Sequence, residues 1–231
     1  MSTVSKDKKE KDSLVQVDTF LIKIEKWYET NKKAINYIST ALLVVVLLCV
    51  YLGVFWAPKR QQKAETAVFK AEQYFAQDSL QQALNGDGVY DGLLDVASKY
   101  RCTKTGNRAR YEIGICYLRM GQYEDAIKYL KKFKKKDKLV SVQALGSIGD
   151  AYVELNDLDK AMTYYRKAVK LNPNELLTPR YMYRAGLVCE KQGDWKAAGK
   201  FYDELKHAYP NAYEVMDIEK RIEYVNAKAS K

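Results

Sequence analysis

Hydrophobic positions along this chain follow two rhythms. Between Ala34 and Pro58 no side chain is charged, and Ala41-Leu42-Leu43-Val44-Val45-Val46-Leu47-Leu48-Cys49-Val50 is an unbroken apolar run. From about Ala64 onward apolar residues return every three or four positions, which is the period of amphipathic helices. Ala64, Ala67, Val68, Ala71, Tyr74 and Phe75 predict one helix ending near Asp78. A short segment, Leu80 to Leu84, then meets the turn Asn85-Gly86-Asp87-Gly88, and a helix is expected from Val89 to Tyr100 with Leu93, Leu94, Val96 and Ala97 inward. The chain closes on the stripe Val215, Ile218, Ile222 and Val225, opposite Glu219, Lys220 and Glu223.

Between these elements the pattern repeats itself. Ile148-Gly149-Asp150-Ala151-Tyr152, followed by Ala161, Tyr165 and Pro173, has a counterpart upstream in Ile113, Gly114, Tyr117, Gly121, Tyr123, Ala126 and Leu130. Downstream the same slots hold Ala185, Gly186, Cys189, Gly193, Trp195, Ala198, Tyr202 and Pro210. The alanine step is 35 residues from Ala126 to Ala161 and 37 from Ala161 to Ala198. This resembles the tetratricopeptide repeat (TPR), whose pattern runs W-x2-L-G-x2-Y, A-x3-F and P over about 34 residues. The resemblance implies paired helices in which glycine and alanine let two backbones approach, tyrosines fill the wider seam, and proline stops the second helix. The expected fold is all-α: one N-terminal transmembrane helix, then a TPR α-solenoid of one degenerate and three regular repeats, then a capping helix. Expected boundaries are 1–33 (lysine-rich tail with an interfacial helix), 34–58 (span), 59–106 (linking helix and degenerate repeat), 107–212 (three repeats) and 213–231 (cap and tail). A stacked array needs such a cap because its last copy otherwise exposes an apolar seam.

The uncharged stretch would be roughly 37 Å long as a helix, enough to cross a hydrocarbon core of about 30 Å with some tilt. Tyr37, and Tyr51, Phe55 and Trp56, suit the two aromatic interfacial belts, and Lys32, Lys33, Lys59 and Arg60 bracket the run. A cleaved signal peptide would have a shorter core nearer the start and small residues before the cut, whereas this run ends in Phe55-Trp56. A lipoprotein site at Cys49 would need a small residue where Leu48 stands. Residues 1 to about 18 are expected to be unstructured because of their charge. From Thr19 to Asn31, Phe20, Ile24, Trp27 and Tyr28 recur at helical spacing; this segment either lies along the membrane surface or extends the span.

Orientation is tied on local charge, with Lys23, Lys26, Lys32 and Lys33 on one side and Lys59, Arg60, Lys63 and Lys70 on the other. The eight lysines of the tail and the ease with which long domains translocate favour a cytoplasmic tail and repeats outside. Net charge divides as +2 for residues 1–33 (eight basic, six acidic) and +8 for 59–231 (thirty-one basic, twenty-three acidic).

Chemistry is sparse. The sequence holds no phosphate loop, dinucleotide fingerprint or nucleophile elbow. His207 is its one histidine, and its four cysteines fall outside metal-ligand spacing. No catalytic, cofactor-binding or metal-binding residue is expected, and Cys116 and Cys189 read as small core residues. Binding remains. In TPR proteins the first helix of each repeat lines a concave groove through its second, fifth, ninth, twelfth and thirteenth residues. By that resemblance the groove would carry Arg108, Tyr111, Ile115, Leu118 and Arg119; then Gln143, Gly146, Asp150, Val153 and Glu154; then Arg180, Tyr183, Leu187, Glu190 and Lys191. TPR modules that clamp a chaperone's terminal carboxylate use lysine and asparagine at the fifth and ninth slots. Here Tyr111, Gly146 and Tyr183, and Ile115, Asp150 and Leu187, replace them. Lys128 to Lys138 has seven lysines in eleven residues. This reads as a solvated helix end and turn, with contact to anionic lipid or an acidic partner as the other reading.

Lysine-rich tail, single span, linking helix and small repeat array together resemble the bacterial inner-membrane TPR family that includes the ancillary subunit of the SecYEG translocon. That resemblance implies an inner-membrane adaptor with periplasmic repeats, whose partners are translocon subunits, chaperones or client proteins. Membrane lipid would be met through residues 34–58, with no nucleic acid and no small-molecule substrate. An envelope-assembly scaffold, or an import-receptor-like protein with cytoplasmic repeats, shares the same layout.

Overall fold

The computed structural model describes residues 3–134 and 137–230, with side chains from Leu21 onward except Ile24. Lys135 and Lys136 of the lysine run, and the side chains of Phe20 and Ile24, lie outside the described residues. The chain divides into two compact units, residues 1–58 and 59–231.

The first unit is helical. Helix α1 runs over Thr3–Tyr51, followed by a π-helical turn, Leu52–Trp56. Residues 3–18, expected to be unstructured, are therefore helical; the chain has no glycine or proline before Gly53, so nothing in the backbone breaks the helix there. Helix α2 (Ala57–Ala76) begins at once, so Pro58 sits in a first turn, where its missing N–H is no loss. Ala57 N–H bonds to Leu52 O in the wider π spacing just ahead of it. The side chains of residues 34–58 stay exposed, apart from the half-buried Ile35.

The second unit is a stack of helices. After α2 come α3 (Leu80–Asn85) and α4 (Leu93–Lys99), then three hairpins: α5 (Lys104–Arg119) with α6 (Tyr123–Lys132), α7 (Lys138–Glu154) with α8 (Leu158–Leu171), and α9 (Thr178–Gln192) with α10 (Trp195–Ala208). A 3-10 turn (Tyr213–Val215) leads to α11 (Ile218–Ala229), which packs on α10 with Ile218 and Val225 buried. Local sequence explains the ends. Thr103, Asp137, Asp157 and Asp194 each accept a bond from a backbone N–H in the first turn of the helix they precede, and Gly193 closes α9 at a φ of +77°.

The expected helix from Val89 is shorter. Gly86 and Asp91 form an isolated antiparallel bridge, and the Asp87 carboxylate accepts from the N–H groups of Val89 and Tyr90, so those residues stay in the loop and α4 starts at Leu93. These bonds and one from the Tyr74 hydroxyl hold the Asp87 carboxyl down to about 2.

The repeat slots pack differently from a simple close approach of backbones. A Cβ on Gly149 would stand 2.6 Å from the Tyr165 ring, and one on Gly186 would stand 2.3 Å from the Tyr202 ring. Gly149 of α7 and Gly186 of α9 thus make room for a tyrosine ring on the second helix, and Gly114 of α5 makes room for Leu130, while Ala126, Ala161 and Ala198 are wholly buried. Two apolar cores result. Val68, Leu84, Leu93 and Ile113 belong to the one around the first helices, and Leu145, Ile148, Tyr181, Tyr202 and Leu205 to the one running to the cap.

Candidate protein-binding groove

Helices α5, α7 and α9 carry the predicted groove positions. A cleft of 490 Å³ opens between them, lined by Leu118, Tyr123, Asp150, Val153, Glu154, Tyr165, Arg184, Leu187, Val188 and Lys191. A second of 630 Å³ adjoins it, sharing Arg184 and Leu187 and adding Arg180, Tyr183, Tyr213, Glu214, Met216 and Asp217. Glu190 borders a further opening beside Tyr183, Arg221 and Tyr224. The predicted Asp150, Val153, Glu154, Arg180, Tyr183, Leu187 and Glu190 are thus brought to one continuous surface.

Arg108, Tyr111, Ile115 and Arg119 line none of these openings. Ile115 is buried in the core, and the Tyr111 ring packs 5.7 Å from that of Phe133. Arg108 pairs with Glu72 at 2.5 Å, while Arg119 pairs with Asp78 at 3.2 Å and lies over the Phe75 ring. Both arginines therefore tie α5 to α2 and its following turn. Buried beside Arg108, the Glu112 carboxyl has one oxygen without a hydrogen-bond partner. Burial, reinforced by the Glu72 charge and offset by Arg108, pushes it up to about 7.

The charges of the groove are matched from within. Asp150 takes a hydrogen bond from the Tyr165 hydroxyl at 2.7 Å and an ion pair from Arg184. Glu190 takes a bond from the Tyr202 hydroxyl and one of 2.7 Å from Arg221, and Arg180 stands 3.9 Å from Glu214. Burial, then the neighbouring Asp150 carboxylate, holds the Tyr165 phenol protonated far above its ordinary range; burial and the bond to Glu190 do the same for Tyr202. What the groove offers outward is apolar and aromatic surface from Leu118, Val153, Tyr183 and Leu187, with Glu154 and Lys191 at its rim. Such a surface suits an amphipathic protein segment more than a free carboxylate, because its central cation is already satisfied. Among the described residues no three His, Cys, Asp or Glu side chains converge as metal ligands.

Sequence reasoning missed Arg184, Tyr165, Tyr213 and Met216. Arg184 occupies the position after the fifth slot, yet it stands 34 residues from Asp150. An opposite charge one repeat length away was the available signal.

A family model of the tetratricopeptide repeat matches residues 111–176 and 147–213. Residues 111–213 are tetratricopeptide repeats. Modules of this kind mediate contact between proteins. The uncharacterized protein ycf37 of Guillardia theta is 29% identical to this chain over 126 residues, which are 52% of this chain and 69% of that protein. The crystal structure of the MamA protein matches with a TM-score of 0.51 at 18% identity, covering 74% of this chain and 91% of that one. That likeness is one of fold: TPR helices stacked as a solenoid.

Proposed function

We propose that this protein is a membrane-anchored adaptor whose repeats hold an amphipathic segment of a protein partner, without catalysing a reaction. The observation that carries this reading is the continuous groove of Val153, Tyr183 and Leu187, whose central charges Asp150 and Glu190 are paired with Arg184 and Arg221 of the protein itself. Apolar surface left open between polar rims is the usual mark of a protein-docking site. Anchoring is supported by the uncharged stretch 34–58, none of whose side chains is buried by the rest of the chain. In the finer form of the proposal the anchor lies in a bacterial inner membrane with the repeats in the periplasm. There the groove receives emerging proteins or chaperones beside the export translocon, as the layout of tail, span and repeats suggests.

Affinity purification of the tagged full chain in mild detergent tests this. Translocon subunits should be recovered with it, and Leu187→Arg should release the groove-bound partner. Recovery of other envelope proteins without translocon subunits would overturn the finer form and leave the adaptor. Recovery unchanged by Leu187→Arg would overturn the groove.

A further inference from the structure

One edge of the repeat array differs from the other in chemistry. At the start of α2, Arg60 donates to the Lys99 carbonyl at 2.5 Å, and Gln61 accepts from Lys104 N–H at 2.9 Å and donates to Thr105 at 2.8 Å. At the start of α5, the side chain of Asn107 exchanges two hydrogen bonds with the Lys134 backbone, and the Tyr181 hydroxyl at the start of α9 reaches the Gln143 carbonyl of α7. The starts of α2, α5, α7 and α9 therefore share an edge with the turns α4–α5, α6–α7 and α8–α9.

That edge exposes Lys134, Lys138 and Lys170 together with Leu139 (48% exposed), Leu171 (49%) and Leu176 (64%). Among the described residues the three ammonium groups form no ion pair. Of its acids, Glu175 is exposed beside these lysines, Asp137 is engaged in capping α7, and Glu214, in the turn after α10, faces Arg180. The opposite edge, with the turns α5–α6, α7–α8 and α9–α10, carries Glu124, Asp125 and Asp159, and the caps Asp157 and Asp194, mixed with Lys160, Lys191 and Lys196. Helix dipoles favour lysine near the ends of α6 and α8. They give no reason for three exposed leucines beside them. Lysines and leucines projecting together are what binds a protein to the boundary between lipid headgroups and acyl chains.

We infer that this lysine-leucine edge docks on the anionic headgroup layer of a membrane. The inference rests on the anchored reading above.

The test uses the full chain, carrying Cys49→Ala and Cys102→Ser, in nanodiscs of phosphatidylcholine with or without phosphatidylglycerol and with a nitroxide on some headgroups. A fluorescent maleimide is attached to Leu176→Cys, on that edge, or to Val89→Cys, 82% exposed in the α3–α4 loop. Quenching at Leu176→Cys but not at Val89→Cys is expected when phosphatidylglycerol is present, with loss when it is omitted. Reversing Lys134, Lys138 and Lys170 to Glu should weaken the contact by about fivefold or more per lysine. Equal quenching at both probes, or none at Leu176→Cys in discs that retain the protein, would overturn the inference and leave the anchor. A chain that elutes apart from the discs would overturn the anchor itself. An acidic protein as the true occupant would leave both probes unquenched, since the discs hold this chain alone.

Discussion

Arg184 reaches back 34 residues, one repeat length, to ion-pair with Asp150 on the neighbouring first helix. The Tyr165 hydroxyl fills the other carboxylate oxygen at 2.7 Å. One carboxylate thus joins α7, α8 and α9 at the centre of the groove. Both partners of the ion pair are partly exposed, which limits its strength. A double-mutant cycle with Asp150→Asn and Arg184→Gln should give a coupling of about 1 kcal/mol by urea unfolding. Strictly additive effects would contradict the pairing.

Gly186 is fixed by the Tyr202 ring, which a Cβ would meet at 2.3 Å. That ring is wholly buried and held at its hydroxyl by Glu190. Gly186→Ala should lower stability by about 1–3 kcal/mol through overpacking. At Gly199 the nearest atom outside its own helix lies 3.5 Å from an added Cβ, so Gly199→Ala should be neutral or stabilising by up to about 1 kcal/mol. Thermal unfolding of the two variants side by side checks the contrast.

The repeat architecture was legible because its signal is redundant: glycine, tyrosine and alanine slots recur in step. Slot counting placed cleft-lining residues in the later two repeats and, in the first, Leu118 alone. Arg108, Tyr111 and Arg119 occupy the expected slots, yet α2 and its following turn supply Glu72 and Asp78 to the two arginines, and Phe133 covers Tyr111. Which charges a groove leaves open depends on partners from other helices, and slot counting along one helix cannot see them. The helix at residues 3–18 was missed because charge was weighed above the absence of any backbone breaker.

Glu112 makes stability depend on pH. Its folded-state value, about 7, lies above the ordinary 4.5, so the fold binds a proton there more tightly than the unfolded chain does. Stability from this group is present below pH 4.5, falls as pH rises through about 7, and levels off beyond. Glu112→Gln should flatten that slope and raise stability at pH 8 by about 2 kcal/mol. Urea midpoints of both chains at pH 5 and pH 8 measure the difference.

Cysteine reactivity should divide sharply. Burial pushes the Cys116 thiol up to about 12 and the Cys189 thiol up to about 11, with Glu112 adding to the first and Asp194 to the second. Both are buried, whereas Cys102 is exposed. In the folded protein at pH 7.5 a water-soluble maleimide should modify Cys102 and spare Cys116 and Cys189 until denaturant is added. Mass spectrometry of the labelled peptides reads the order.

The central claim is that a protein segment occupies the groove between α7 and α9. Photocrosslinking amino acids placed at Val153 and Leu187 of the full chain, with Lys167 on the far side of α8 as the control, test it in cells. The same partner should be captured from both groove positions and not from Lys167; capture from Lys167 alone would contradict the account.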